Sequence, residues 1–295
     1  MSSLPETLDI LSLLKRLKRR PNAHKGDAGK VLLVGGAATM SGALVLAGQA
    51  ALYSGAGWVV LMMLDAKSAH LVPDQPELMV HDANNLQARQ ALQQIQPDVI
   101  AIGPGLGQSQ LAIQWLHTAL AWPVSLVIDA DAINLLSTQP ELMDSLQQRT
   151  YPTTLTPHPG EVARLLGCSS ADVQADRPRA LTEIVKLTRS VVVLKGQHTL
   201  IASPIHNTVQ CMQGNPSLAV GGTGDVLTGC MAAIAAQGIK HGIDHWQASC
   251  MAVQLHAVAA DSLVRKGTGP IGLTPSELVR ELRECINQEI QHRIN

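Results

Sequence analysis

Short apolar runs rich in β-branched residues recur along the first two thirds of the chain. They lack the alternation of a half-exposed strand, so each is typical of a strand buried on both faces. Between them, apolar residues recur at helical spacing. Strands that alternate with helices predict an α/β protein with a mainly parallel sheet covered by helices. The predicted strands span residues 30–34, 58–63, 98–102, 125–129 and 191–195, and the predicted helices span 41–54, 86–95, 109–121 and 177–189.

The pattern changes after residue 200. Two short apolar stretches, 199–202 and 208–212, predict a hairpin. The rest of the chain is mostly helical, and Thr274 with Glu277 three residues later is a capping box that opens the last helix. We expect these helices to pack on one face of the sheet. Their predicted bounds are residues 225–237, 244–264 and 275–291.

Composition and charge exclude several classes of function. The chain has 22 Lys and Arg against 23 Asp and Glu, a formal net charge of -1, so no global field attracts nucleic acid or an anionic membrane. Four Trp, two Tyr and no Phe are too few for a base-stacking platform. The five cysteines include no CxxC pair, so neither a zinc site nor a disulfide framework is predicted. A charged ligand must therefore be held by a local site.

Two stretches bear on localisation. Leucines recur at helical spacing between residues 8 and 17. A basic run at 15–20 begins near the end of this apolar segment and continues after it. A secretory signal has its positive charge before the apolar segment, so we expect a cytoplasmic protein. Residues 31–64 carry no charge and are long enough to span a bilayer, but repeated glycines divide them. A buried strand–helix–strand unit is favoured, and no membrane partner is expected.

The sharpest candidate for a site is the turn Gly221-Gly222-Thr223-Gly224-Asp225, directly before an apolar helix. Free N–H groups at a helix N-terminus, together with the helix dipole, favour an anion such as a nucleotide phosphate. The chain has no GxxxxGK[ST] sequence, so an ordinary P-loop is excluded. Asp225 has two interpretations. It either caps the helix or takes a proton from a substrate hydroxyl as phosphate is transferred to it.

Further candidates follow predicted strands, where ligands of open α/β sheets bind. The glycines at 103–107 have GxGxG spacing, which is not the dinucleotide fingerprint and serves either a tight turn or a ligand. Of Asp129 and Asp131, one is expected to reach a metal or phosphate through water and the other to cap a helix. His158 lies between two prolines, as a ligand contact or a fixed turn. Lys195 is either a nucleotide contact or a surface lysine.

Eight short motifs occur in order along the chain. They are HKGD at 24–27, GG at 35–36 followed by SGA at 41–43, SGAG at 54–57, GPGLG at 103–107, DADA at 129–132, PHPGE at 157–161, LKG at 194–196 and GGTGDVL at 221–227. In this order they resemble the ADP- or ATP-dependent NAD(P)H-hydrate dehydratases of the ribokinase-like superfamily. The resemblance implies a three-layer α/β/α fold with a central, mostly parallel sheet and a helical C-terminal third. It begins near His24, so we expect one domain at 24–295 after an N-terminal helical extension at 1–23.

The same resemblance implies an activity. The family restores the S epimer of hydrated NADH or NADPH, a repair in which the terminal phosphate of a nucleotide goes to the ring hydroxyl. Phosphate then leaves and the ring double bond returns, because phosphorylation makes a poor leaving group a good one. A magnesium ion is expected to bridge the phosphates, with ligands that the sequence does not identify. The short free-standing chain is similar to the bacterial form, which favours ADP over ATP as the donor.

Family roles are carried to this chain residue by residue. Asp225 would be the base that activates the hydroxyl and would also contact the hydrated dinucleotide. The remaining expected contacts are Lys195, Gly196, Gln197, His198, Thr199, Gly222, Thr223 and Gly224 for the nucleotide, and Ala43, Gly105, Gly107 and His158 for the hydrated dinucleotide.

The sequence also leads to expectations about partner proteins and leaves two alternative functions open. Many members of this family carry an N-terminal epimerase domain, and the residues before His24 are too few for one, so we expect the epimerase to be a separate protein. The apolar C-terminal third and the leucines at 8–17 favour a homo-oligomer, expected as a tetramer. Two other functions stay open: a kinase of a small alcohol such as a vitamin precursor, and a nucleotide-binding regulator without catalysis.

Overall fold

The computed structural model describes residues 5–70 and 75–291, and the strands in that part of the chain form one sheet. The strands are β1 (Glu6–Thr7), β2 (Lys30–Gly35), β3 (Trp58–Met63), β4 (Met79–Asp82), β5 (Val99–Ile102), β6 (Ser125–Ile128), β7 (Thr153–Leu155), β8 (Val191–Leu194), β9 (Leu200–Ala202) and β10 (Val209–Gln210). Their order across the sheet is β1-β10-β9-β8-β7-β6-β5-β2-β3-β4. From β8 to β4 every neighbouring pair is parallel, whereas β9 is antiparallel to both β8 and β10.

The five predicted buried strands are confirmed as β2, β3, β5, β6 and β8, and the predicted hairpin as β9 and β10. The sequence analysis missed β7, because Thr153 and Thr154 hide its apolar character. Both threonines are buried, and the Thr154 hydroxyl lies 2.8 Å from His245 Nε2 and 2.8 Å from Ser249 Oγ. A polar residue whose hydroxyl finds partners can occupy a central strand at little cost.

The helices follow the predicted alternation. The predicted capping box of the last helix is confirmed, since the Thr274 N–H donates to Glu277 Oε2 at 2.8 Å. The α-helices are α1 (Ser41–Tyr53), α2 (Ala66–Ala69), α3 (Ala88–Ile95), α4 (Gln110–Ala121), α5 (Ala130–Thr138), α6 (Pro140–Gln147), α7 (Pro159–Leu166), α8 (Ser170–Ala175), α9 (Arg177–Thr188), α10 (Thr223–His241), α11 (His245–Arg265) and α12 (Pro275–Gln291).

Helices cover both faces of the sheet. Successive residues of β2 point to opposite faces, so Val31 and Leu33 pack with α1, α10, α11 and α12, whereas Leu32 and Val34 pack with α3, α4, α5 and α6. The predicted three-layer α/β/α arrangement is therefore confirmed. The three C-terminal helices lie together on one face, as expected.

The N-terminal leucines have a role inside the chain. Leu8, Leu11, Leu14 and Leu17 are at most 8% exposed and belong to the core formed with α10, α11 and α12. The segment from Leu11 to Leu17 is a 3-10 helix. Because these leucines are buried within one chain, they offer no apolar face to a second subunit, and this basis for the expected oligomer is wrong.

The uncharged stretch at 31–64 forms β2, α1 and β3, with β2 and β3 paired in parallel. The favoured strand–helix–strand interpretation is thus confirmed. Within residues 5–70 and 75–291, none of the helices combines the length and apolar character that crossing a bilayer requires.

Candidate active site

The parallel strands bring several candidate residues to the carboxyl edge of the sheet. Asp129 follows β6, His158 follows β7 by three residues and Lys195 follows β8. The N-terminus of α10 lies against the same edge: a Cβ placed on Gly224 would be 3.6 Å from Lys195 Nζ and 4.0 Å from Asp129 Oδ2. Asp129 and Lys195, which are far apart in sequence, therefore meet beside the glycine-rich turn.

Asp129 is the anchor of this cluster. Its side chain is almost fully buried, and Oδ1 accepts hydrogen bonds from Thr156 Oγ1 and Lys195 Nζ, each at 2.7 Å. Oδ2 accepts a third from Thr228 Oγ1 of α10 at 2.8 Å. The surface interpretation of Lys195 is wrong, because its ammonium is held in this network. Burial lowers the pKa of Lys195, but the carboxylates of Asp129 and Glu161 outweigh burial and raise it.

The two acids after β6 have different roles from those expected. Helix α5 begins at Ala130, so the strand does not continue, and Asp129 occupies the N-cap position without a side-chain capping bond. Asp131 instead lies in the first turn, and its Oδ2 accepts a hydrogen bond from the Gly107 N–H at 2.9 Å. This bond ties the glycine turn after β5 to the start of α5.

Asp225 lies in the first turn of α10 behind Gly222, which is the N-cap residue. Its carboxylate accepts no hydrogen bond from any described residue, so the capping interpretation finds no support in the geometry. Burial raises the pKa of Asp225 to about 7, Asp129 adds to the rise and Lys195 opposes it. A carboxyl group with a pKa near neutral and no structural partner has the properties of a general base.

The backbone of the same turn offers free donors. The N–H groups of Gly224 and Asp225 donate to no residue in the part of the chain that the structure describes, whereas Thr223 donates to the carbonyl of Val220 at 3.4 Å. The turn is held from behind, because His256 Nε2 donates to the carbonyl of Thr223 at 2.9 Å. Free N–H groups at the start of a 19-residue helix form an anion site.

His158 forms a fixed turn. Its Nδ1 accepts hydrogen bonds from the N–H groups of Gly160 at 2.9 Å and Glu161 at 3.4 Å, and it therefore caps α7. Glu161 returns a bond from the His158 N–H to Oε2 at 2.7 Å. The His158 ring remains half exposed at the edge of the sheet. Burial, with smaller contributions from Lys195 and Arg164, lowers the pKa of His158.

Glu161 is a functional candidate that the sequence analysis did not single out. It is 3% exposed, and burial raises its pKa to about 7, with Asp129 adding to the rise and Lys195 opposing it. The spacing of Glu161 from His158 could have revealed its position at a helix start, because a capping residue followed three positions later by Glu marks such a start. A histidine in the place of the usual Ser, Thr, Asp or Asn concealed it.

The residues expected to contact the hydrated dinucleotide lie in two loops that pack together. The Ala37 N–H donates to the carbonyl of Gly105 at 2.6 Å, joining the loop after β2 to the loop after β5. A Cβ on Gly105 would lie 2.5 Å from the carbonyl oxygen of Met40 and 3.3 Å from Ala43 Cβ. Ala43 and Gly105 are therefore neighbours, with Gly105 buried. Gly107 is partly exposed beside them.

Gly103 makes the tightest of these approaches, and its replacement tests the packing. Its φ is 135°, and a Cβ would lie 1.8 Å from the carbonyl oxygen of Asp129. Gly103→Ala should lower the free energy of unfolding by at least about 2 kcal/mol, measured by urea denaturation. Gly42→Ala is the control, because nothing lies within 4 Å of its Cβ position, and it should be neutral or stabilising. Equal effects of the two changes would contradict the packing argument.

The expected nucleotide residues form the turn between β8 and β9. Gly196 and Gln197 are exposed, His198 and Thr199 are partly exposed, and Lys195 extends instead toward Asp129. The turn and Lys195 thus flank the same edge of the sheet from two directions.

The described residues do not fit a resident magnesium ion. Both Asp129 oxygens are engaged by Lys195, Thr156 and Thr228. Within residues 5–70 and 75–291, no three side chains of His, Cys, Asp or Glu are grouped as metal ligands. No catalytic step is therefore assigned to a metal held by the protein alone.

Two of the eight motifs lie at the opposite edge of the sheet. The segments at 24–27 and 54–57 precede β2 and β3, respectively. The Gly57 N–H lies 3.1 Å from the carbonyl of Ala28, and a Cβ on Gly57 would be 2.0 Å from the carbonyl of Lys25. These motifs pack the two strand starts together and do not reach the site.

The fold and the site define a class of protein. A ribokinase-like superfamily protein from Enterococcus faecalis superposes with a TM-score of 0.80 at 28% identity, over 99% of this chain and 100% of that one. The sequence profile described as NAD(P)H-hydrate dehydratase matches residues 31–284. The chain belongs to this family, as the motif order had indicated.

Named relatives extend the match. The ADP-dependent (S)-NAD(P)H-hydrate dehydratase of Neisseria meningitidis serogroup B is 38% identical, over 92% of this chain and 89% of its own. The ADP/ATP-dependent NAD(P)H-hydrate dehydratase from Bacillus subtilis, co-crystallized with ATP/Mg2+, superposes with a TM-score of 0.80 at 28% identity, covering 97% and 100% of the two chains. The bifunctional NAD(P)H-hydrate repair enzyme of Escherichia coli is 35% identical over 92% of this chain, which spans 50% of that protein.

Proposed function

We propose that this chain dehydrates the S epimer of hydrated NADH or NADPH, with ADP as the preferred phosphoryl donor and ATP as the alternative. The single observation that carries the proposal is the Asp225 carboxylate, which has no hydrogen-bond partner among the described residues and lies beside the free N–H groups of the α10 turn. The name of the Neisseria meningitidis relative supports the substrate, the epimer and the donor.

In the proposed mechanism, Asp225 takes the proton of the ring hydroxyl as that oxygen attacks the terminal phosphorus of the nucleotide. The N–H groups of Gly224 and Asp225 hold the transferring phosphate, and the positive charge of Lys195 lies close to the same turn. The C–O bond to phosphate then breaks, and loss of a proton from the neighbouring ring carbon to solvent restores the ring double bond. Magnesium would enter with the nucleotide, bound mainly by its phosphates.

The mechanism predicts a pH dependence. Asp225 acts as a base only when ionised, and burial raises its pKa to about 7. Below that pH, kcat/KM should fall about tenfold per pH unit, and above it kcat/KM should level off. The measurement is a pH profile at subsaturating hydrated NADH. Glu161→Gln serves as the comparison, because Glu161 has a pKa of about 7 too. Glu161→Gln should keep the midpoint near 7, and loss of that midpoint in Glu161→Gln would assign the titration to Glu161 instead of Asp225. A midpoint near 4 would contradict the raised pKa of Asp225.

The first test of the function is an absorbance assay. Purified protein, hydrated NADH, magnesium and either ADP or ATP should restore the reduced-nicotinamide absorbance, and omission of the nucleotide should abolish the recovery. Only the S epimer should be consumed directly, with the R epimer disappearing at its spontaneous rate. Consumption of both epimers faster than they interconvert would contradict the expected need for a separate epimerase.

The remaining expectations are also proposals. Five free cysteines fit a reducing compartment, which supports a cytoplasmic location. Large exposed apolar side chains support a homo-oligomer, proposed as a tetramer, and Ile205, Ile239 and Ile271 are 86%, 56% and 95% exposed. Size-exclusion chromatography with light scattering tests the assembly, and a monomeric mass at micromolar concentration would refute it.

A further inference from the structure

Arg177 lies directly behind the turn that joins β8 to β9. It is the first residue of α9, and its guanidinium donates three hydrogen bonds to carbonyl groups of this turn. Nη2 donates to Leu194 at 3.1 Å, and Nη1 donates to Gln197 and, at 3.4 Å, to His198. One planar side chain thus forms hydrogen bonds with carbonyl groups at both ends of the turn.

The N–H groups of the turn differ from its carbonyl groups in their hydrogen bonding. Of the carbonyl groups that Arg177 does not bind, that of Gly196 accepts a bond from Thr199 Oγ1 at 3.1 Å and that of Thr199 accepts one from the Cys211 N–H at 2.9 Å. The N–H groups of Gly196, Gln197 and His198 donate to no residue within 5–70 or 75–291. A turn in which most carbonyl groups are engaged and successive N–H groups are free is an anion-binding nest.

The close approach of Arg177 requires glycine in the turn. Gly196 has a φ of 143°, and a Cβ there would lie 3.1 Å from Arg177 Nη2. A side chain at this position would therefore strain the backbone and press on the guanidinium. The close approach of Arg177 explains why the LKG motif has a glycine at position 196.

Arg177 also supplies charge. It forms no ion pair with a carboxylate among the described residues, whereas Arg179 on the same helix pairs with Glu183 at 2.9 Å. A guanidinium remains protonated at neutral pH even when partly buried. The turn therefore carries an uncompensated positive charge behind its free N–H groups.

We infer that Arg177 is a positioning residue for the phosphoryl donor: it draws the carbonyl groups of the β8–β9 turn inward and leaves the N–H groups of Gly196, Gln197 and His198 to bind the nucleotide's phosphates. This inference rests on the proposed function for the identity of the anion. Arg177 acts through the turn and need not touch the ligand.

The test is calorimetric titration of ADP and ATP, with magnesium, into four proteins. Arg177→Met should weaken ADP binding at least about tenfold, since it removes several charge-assisted hydrogen bonds. Arg177→Lys keeps the charge but cannot reach three carbonyl groups, so its affinity should fall between those of Arg177→Met and the wild type. Arg179→Met is the matched control, two residues along the same helix and exposed, and should bind within about twofold of the wild type.

Kinetics separate positioning from a general loss of structure. The KM for the nucleotide should rise with the Kd, while kcat at saturating nucleotide and the KM for hydrated NADH should change less than about twofold. Unchanged ADP affinity in Arg177→Met, or a parallel change of kcat and both KM values, would overturn the inference. Should Arg177→Met not fold, Arg177→Lys decides: wild-type affinity overturns the inference and weakened affinity supports it. A wild-type protein that binds neither nucleotide would contradict the proposed function as well.

Discussion

Asp225→Asn is expected to reduce turnover by at least about a hundredfold while the Kd for ADP stays within a few-fold of the wild-type value. The amide keeps the shape of the side chain but cannot accept the hydroxyl proton. The anion site consists of backbone N–H groups, which the substitution leaves in place. Single-turnover kinetics with hydrated NADH, together with calorimetric ADP titration, measure the two quantities.

The matched control is Asp172→Asn. Asp172 occupies the same position of α8 that Asp225 occupies of α10, but it is exposed and accepts capping bonds from Ser169. Asp172→Asn should leave turnover within about twofold of the wild type. Equal losses of ADP binding and turnover in Asp225→Asn would make Asp225 a structural residue.

The stability of Asp225→Asn provides a second check. Burial raises the pKa of Asp225 from its ordinary value of 3.8 to about 7, so the folded state binds the proton more tightly than the unfolded state. The resulting stabilisation is lost as pH rises through that interval, and above pH 7 the buried charge costs stability. Asp225→Asn should therefore unfold at pH 8 at a temperature no lower than the wild type.

Asp129→Ala is expected to lower the free energy of unfolding by about 3–5 kcal/mol, because it leaves the Lys195 ammonium without its partner in a largely buried site. At the same time the Thr228 hydroxyl loses its acceptor, and the Thr156 hydroxyl keeps only its longer bond of 3.3 Å to the Ile128 carbonyl. Urea denaturation at neutral pH measures the loss. Asp131→Asn is the control, since Asp131 accepts a single backbone bond and is partly exposed, and it should cost less than about 1.5 kcal/mol.

A double-mutant cycle isolates the ion pair. Asp129→Ala and Lys195→Met should be less than additive, because the double variant no longer contains a buried unpaired ammonium. A coupling free energy of at least about 1 kcal/mol is expected. Additive losses would mean that the 2.7 Å contact between Lys195 Nζ and Asp129 Oδ1 contributes little in solution.

Elements with strong local signals could be predicted from the sequence. Strand β3 is six apolar residues bounded by turns, and its predicted bounds agree with those observed. The start of α12 follows from the capping box of Thr274 and Glu277. Strand β7 could not be predicted, because two of its three residues are threonines whose fit depends on partners such as Ser249, 95 residues away.

Part of the candidate site could likewise be predicted from the sequence, and part could not. The glycine-rich turn before α10, and Asp225 as a candidate base, could be predicted from the local sequence. The partnership of Lys195 with Asp129 was not, since 66 residues separate them and only the parallel order of β6, β7 and β8 brings them together. The leucines at 8–17 had a correct apolar pattern, but a pattern alone cannot distinguish burial within a chain from burial between subunits.

Phosphorus NMR of the complete reaction tests the central claim most directly. With hydrated NADH, ADP and magnesium, the account predicts equal amounts of AMP, inorganic phosphate and regenerated NADH, and no accumulating phosphate ester. A phosphorylated hydrated dinucleotide that accumulates, without return of the reduced-nicotinamide absorbance, would contradict it and identify the protein as a kinase.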